Sequence, residues 1–210
     1  MEYLLGAITI GIVALLAAMS PGPDFAVVTK NSILHARRAG IWTALGVGCG
    51  IFVHVAYSLV GIGLIISQSI LLFSIIKYIG ATYLLYLGWQ LLRAKKHDAA
   101  FPGKQSHKTP ISAVAAFREG FLTNALNPKA TLFFLSIFTL IITSGTPLVV
   151  RALYGVEIAF IVGVWFVLLA YFLNISYVRN TFSRVQHYFE RGMGAILIAL
   201  GIKVALSTYK

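Results

Sequence analysis

Acid is scarce in this sequence. Six Asp and Glu residues occur in 210 positions, and charged residues of all kinds make up only 11%. A water-soluble domain has about a quarter of its residues charged, so water is not the solvent for most of this surface. With 59% hydrophobic residues and a mean hydropathy of +0.86, the composition is that of an integral membrane protein. Cysteine is nearly absent as well. Cys49 stands alone, which excludes an internal disulfide, a thiol-built metal site and a thiol–disulfide relay. No Walker loop, G-x-S-x-G elbow or Cys/His cluster is present. The sequence therefore requires no cofactor and no metal.

What is plentiful is positive charge: 17 Lys and Arg residues and a net charge of +11. In a soluble protein that excess would suggest nucleic acid. Here the basic residues sit in short clusters between apolar runs, the pattern of a membrane protein's cytoplasmic loops, so no nucleic-acid partner is expected.

A helix needs about 20 mainly apolar residues to cross the hydrocarbon. Tyr3–Met19 has no charged residue, and Ala39–Leu92 has only Lys77. Gly61-Ile-Gly63 and Ser67-Gln-Ser69 divide the second run into spans near Ile41–Ile65 and Leu71–Leu92. Gly120–Val150 contains only Lys129, Ala152–Val178 only Glu157, and Gly192–Tyr209 only Lys203. The expectation is six spans in an all-α membrane protein. Lys30, Arg37 and Arg38, then Arg93 through Arg118, then Arg179, Arg184 and Arg191 occupy alternate loops. Those loops belong on the cytoplasmic side, which puts both termini outside. A cleavable signal sequence would begin with basic residues, whereas Met1-Glu2 brings an acid.

Residues 93–117, polar and carrying His97, His107, prolines and a glycine, read as a cytoplasmic linker. They separate a first repeat, 1–92, from a second, 118–210. Each has three spans, and an odd number inverts the second repeat relative to the first. The inversion predicts a broken helix at an equivalent place in each half. Pro21-Gly22-Pro23-Asp24 and Asn127-Pro128-Lys129 meet that demand, and aligning Pro23 with Pro128 also sets Gly40 opposite Gly145.

Proline removes an amide donor and strains the preceding turn. Backbone groups freed in this way cannot face lipid and are tolerated where they line a cavity. Half-helix N-termini there favour a carboxylate, while an acid or free carbonyls favour an ammonium. Pro21, Gly22, Pro23, Asp24, Asn124, Asn127, Pro128 and Lys129 are accordingly the candidate binding or coupling residues. Asp24 and Lys129 are expected to face each other across a pseudo-two-fold axis. Two plainer roles stay open for Asp24: a salt bridge that merely closes the halves together, or an N-cap. For Asn127 the plainer role is to patch carbonyls freed by Pro128.

His54 and Glu157 are candidates for a proton relay; packing for His54, and a pairing of Glu157 with Arg151, are the plainer readings. Glu119 sits at the expected cytoplasmic boundary. Gly46-x-x-x-Gly50 is a close-packing motif that fits a monomer or a dimer, which leaves open a homo-oligomer. Trp165, mid-span, is read as a packing residue.

Ser20-Pro-Gly-Pro-Asp-Phe25, the basic turn Arg37-Arg38-Ala-Gly40 and the glycine-rich Gly46–Gly50 resemble the first half of the LysE/RhtB amino-acid exporter family. Gly120-Phe-Leu-Thr-Asn-Ala-Leu-Asn-Pro-Lys129 is similar to that family's second-half signature. The resemblance covers essentially the whole chain, and the Pro-Gly-Pro-Asp form is similar to the threonine/homoserine branch. It implies a multi-pass protein of the bacterial inner membrane that exports amino acids or close derivatives, with protons as the coupling ion and no enzymatic activity. Asp24, offset by Lys129, points to a small, neutral amino acid as the cargo. A membrane-embedded enzyme and a channel for small polar solutes are the alternative classes. The first lacks a visible acid–base cluster at one interface, and the second does not account for inverted halves.

Overall fold

A computed structural model describes residues 1–68, 70–94, 110–141 and 146–206. They form eight helices: α1 (Glu2–Met19), α2 (Pro23–Leu34), α3 (Arg37–Gln68), α4 (Ile70–Leu92), α5 (Ala113–Ala125), α6 (Pro128–Ile141), α7 (Leu148–Phe172) and α8 (Ser176–Leu206). Among the described residues there is no strand. His97, His107 and Gly145 lie outside the described residues.

The prolines act where the sequence places them. Ser20, which precedes Pro21, is extended and ends α1, as a residue before proline tends to be. Pro23 then opens α2, a position where its missing N–H costs nothing. α1 and α2 meet at a bend of 58°. α5 stops at Ala125, Leu126 and Asn127 form the break, and Pro128 opens α6. Both expected breaks are therefore present, with Pro23 and Pro128 each the first residue of its half-helix.

Residues 37–60 of α3 and the whole of α7 are each long and apolar enough to cross a membrane, and the bent α1–α2 pair is so when taken together. α7 shows how the surfaces divide. Val149, Leu153, Val156, Phe160, Val164 and Leu168 are exposed, at spacings of three or four, while Tyr154, Ile158, Val162, Phe166 and Leu169 are buried. One stripe is apolar and outward, the other apolar and inward. That is the pattern of a helix between lipid and a protein core.

Several boundaries differ from those the hydropathy runs suggest. α3 continues through Gly61 and Gly63, since glycine weakens a helix without stopping it. α5 begins at Ala113, inside the stretch read as linker, where Ser112 caps it by accepting from Ala115 N. α7 begins at Leu148 and takes up Val149 and Val150. The largest difference is α8. The basic stretch holding Arg179, Arg184 and Arg191, expected to be a loop, is the first half of a continuous helix. Nothing from Ser176 to Arg191 is a proline or glycine, so charge alone does not end the helix.

α3 lies at the centre, against α5 on one side and α7 on another. The Gly46-x-x-x-Gly50 motif packs within the chain. A Cβ on Gly46 would fall 2.1 Å from Phe117 O, and one on Gly120 would fall 2.1 Å from Thr43 O. Two backbones meet there with no room for a methyl group. On another face of α3, Gly48 approaches Gly163 of α7. Lipid tails are as apolar as leucine, so helix association in a membrane depends on such close contact rather than on hydrophobic burial.

Candidate functional site

The two breaks come together around a cavity. It is lined by Ala14, Ala17, Ala18 and Ser20 at the end of α1, Gly22, Asp24 and Phe25 at the start of α2, and Asn124, Asn127, Lys129 and Ala130 around the second break. Ile51, Phe133, Phe134, Ile158, Val162 and Phe166 complete the wall. The free space is about 50 Å³, room for a few water molecules.

Asp24 is the second residue of α2, and Gly22 rather than Asp24 holds the N-cap position. Its carboxylate lies in the first turn, where the helix dipole favours it. Oδ2 accepts from Asn124 Nδ2 at 2.9 Å and from Asn127 Nδ2 at 3.0 Å. Oδ1 is buried and accepts nothing, and so is Asn124 Oδ1. Two acceptors with unspent lone pairs thus belong to residues that line the cavity. A buried acceptor left bare costs about 1–3 kcal/mol, which a donor entering the cavity would recover.

Asn127 does two things at once. Its Nδ2 reaches Asp24, and its Oδ1 accepts from Lys129 N at 3.0 Å. It therefore satisfies an amide at the start of α6 rather than patching the carbonyls that Pro128 frees.

Lys129 does not pair with Asp24. The two line one cavity, yet no salt bridge joins them among the described residues. Lys129 Nζ donates to Ser20 O and Pro21 O, each at 3.1 Å, and to Ser20 Oγ. The reason is electrostatic. A cation in the first turn of α6 stands at the wrong end of its own helix dipole, and the end of α1 offers bare carbonyls and the negative end of another. Gly22 leaves the space for this reach: a Cβ there would lie 3.2 Å from Lys129 Nζ. Pro21, Pro23 and Pro128 are exposed and act through the backbone they shape.

His54 and Glu157 do not line the cavity. His54 is fully buried, with Nε2 2.9 Å from Asn124 O and Nδ1 2.6 Å from Tyr57 Oη. Because a carbonyl only accepts, Nε2 carries the hydrogen. His54 stacks on Phe134, 5.4 Å between ring centroids, so it fixes both a wall residue and the end of α5. Glu157 packs toward Gly11 of α1, while Arg151 donates to Thr146 O at 2.8 Å.

Sequence reasoning passed over Ser20 as a polar partner and the aromatic wall of Phe133, Phe134 and Phe166. It favoured packing for Trp165, and Trp165 does pack against the core while its neighbour Phe166 faces the cavity. It also passed over Glu190, which is 2% exposed on α8 and within electrostatic reach of Lys129. A lone acid in the basic run Arg184–Arg191 was the only available sign.

Residues 15–208 match the model of the family described as LysE type translocator. The chain belongs to the LysE family. Similar proteins include threonine efflux proteins of Salmonella typhi and Escherichia coli, each 31% identical over 95% of this chain and 97% of the relative. A leucine efflux protein of Salmonella choleraesuis is 35% identical over 69% of this chain and 64% of its own length. No solved structure matches this LysE family chain.

Proposed function

We propose that this protein exports a neutral amino acid across the bacterial inner membrane, in exchange for protons. The observation that carries the reading is the cavity itself: unspent acceptors at Asp24 Oδ1 and Asn124 Oδ1, a cation at Lys129 Nζ, and apolar walls between them. This is the complement of a zwitterion. The substrate's ammonium donates to Asp24 Oδ1 and Asn124 Oδ1. Its carboxylate takes Lys129 from the Ser20 and Pro21 carbonyls, which loosens the break between α1 and α2. Its side chain lies among Phe133, Phe134, Val162 and Phe166. Among the described residues Asp24 and Lys129 are the charged groups that line the cavity, which suits a substrate with one ammonium and one carboxylate.

Coupling follows from competition at Asp24. A carboxylate holds an ammonium only when ionised, and a proton that neutralises it removes that hold. Outward substrate and inward proton therefore occupy Asp24 in turn, which is the requirement of an exchanger. In this reading His54 holds the Asn124 carbonyl in place and stands behind the site.

The relatives' names, threonine and leucine efflux proteins, support the same class of cargo. The architecture we assign is six spans in two inverted halves, with α1–α2 and α5–α6 as the broken first spans and both termini outside. Two features support it. The broken spans start their second halves at Pro23 and Pro128, and α3 packs on α5 as α7 packs on α1. The test is efflux from cells loaded with dipeptides of single amino acids. Faster efflux of neutral amino acids in cells that make the protein is expected, and efflux of none would overturn the reading.

A further inference from the structure

Lys30 and Glu119 form a salt bridge, and their side chains are 44% and 34% exposed. Neither lines the cavity. The pair joins α2 to α5, the two half-helices that carry Asp24 and Asn124. At the helical rise, Lys30 lies about 9 Å along α2 from Asp24, and Glu119 about 7.5 Å along α5 from Asn124. Both steps run toward Arg37, Arg38 and Arg118, the basic residues that mark the cytoplasmic side. The salt bridge thus spans the gap between two cavity-forming helices one to two turns below the cavity.

It is also anchored. Asn31 Nδ2 donates to Glu119 Oε2 at 2.9 Å and to Thr43 Oγ1 at 2.9 Å, and Thr43 Oγ1 donates to Ala39 O. Thr43 O is the backbone atom against which Gly120 packs. Glu119 is therefore held by two residues of α2 and lies beside the tightest backbone contact between α3 and α5. On this side of the cavity the helices are closed by polar bonds, which water can replace, as well as by packing.

We infer that Lys30 and Glu119 are the cytoplasmic gate of the transporter, closed in this structure. The inference rests on the export reading for its direction: a substrate from the cytoplasm must part α2 from α5 to reach Asp24. Breaking this bond frees Lys30 to water and leaves Glu119 with Asn31. The partial exposure of both groups keeps that step small enough to recur in every cycle.

The test measures access, independently of any substrate. In a Cys49→Ala background, a cysteine is placed in the cavity by Ala18→Cys, and a membrane-impermeant thiol reagent is applied to the cytoplasmic face of everted vesicles. Glu119→Gln should speed labelling by roughly fivefold, the shift expected when one part-exposed ion pair no longer favours the closed state. The charge exchange Lys30→Glu with Glu119→Lys should bring the rate back toward the parent's. A second arm places cysteines at positions 30 and 119 and joins them with a short, reducible bis-thiosulfonate. Cross-linking should block labelling at residue 18 from the cytoplasmic face, and reduction should restore it. An unchanged labelling rate in Glu119→Gln, or labelling that persists through the cross-link, would overturn the gate. Labelling that responds as expected, with no amino acid exported, would keep the gate and sink the cargo assignment.

Discussion

Asp24 and Lys129 hold no bond to each other, yet each is bonded into the break that the other follows. Asp24 comes after the first break and takes its hydrogen bonds from Asn124 and Asn127 at the second. Lys129 comes after the second break and donates to Ser20 and Pro21 at the first. The two halves are thus tied by a reciprocal exchange of polar groups. A direct salt bridge would have consumed both charges. The exchange leaves Asp24 Oδ1 bare in the cavity.

Asp24→Asn keeps the shape and an acceptor for the two asparagine amides, and it removes the charge. Efflux should fall about tenfold to a hundredfold, the worth of one charge-assisted hydrogen bond to an ammonium, with the amount of protein in the membrane unchanged. Efflux at the parent's rate would show that Asp24 is structural.

Lys129→Met keeps the length and bulk of the side chain and strips the carbonyls of Ser20 and Pro21 of their donor. The purified protein in detergent should lose about 1–3 kcal/mol of stability, the cost of stranding a buried acceptor. Thermal unfolding checks this. A variant as stable as the parent would mean that the bonds from Lys129 do not hold the first break.

His54→Ala removes the donor to Asn124 O and the partner of Phe134. The expected result is lower stability, by about 2–4 kcal/mol from the lost bond and the space left behind, with the pH dependence of the residual efflux unchanged. Efflux whose pH profile shifts in this variant would return His54 to the proton path.

Gly120→Ala sets a methyl group against Thr43 O and should destabilise by about 2 kcal/mol or more, since two backbones must separate. Gly192→Ala is the control. A Cβ there meets nothing within 4 Å, so the better helix former should stabilise α8 by up to about 1 kcal/mol. Unfolding in detergent compares the two, and equal stabilities would contradict the close contact between α3 and α5.

Ser106→Cys in the Cys49→Ala background reports the side of the 93–117 segment. Impermeant thiol reagent should label it in everted vesicles and not in intact cells. Labelling from outside would invert the orientation.

Much of this was legible in the sequence because it depends on the nearest neighbours along the chain. Pro21, Pro23 and Pro128 mark helix boundaries, since the missing N–H and the fixed ring are local properties that suit a helix's first turn and not its interior. The scarcity of charge announced the membrane for the same reason: each residue meets its solvent alone. Helix ends without a proline were less legible. The run from Ser176 to Arg191 looks like a loop by charge, but its backbone bonds are satisfied within α8 whatever its side chains carry.

Which charges meet was not legible at all. Asp24 and Lys129 align as equivalents in the sequence, and equivalence suggested a pair. The tertiary structure decided otherwise, because Lys129 sits at the wrong end of its own helix dipole and the end of α1 lies within its reach. The same holds for Glu119. In the sequence it is an acid beside Arg118, and only the crossing of α2 over α5 gives it Lys30 and Asn31. The sequence by itself determined where the chain breaks and what medium surrounds it, through forces that act within a few residues. The tertiary structure alone decided which polar groups satisfy which, because those partners lie about a hundred residues apart and compete for a single buried space.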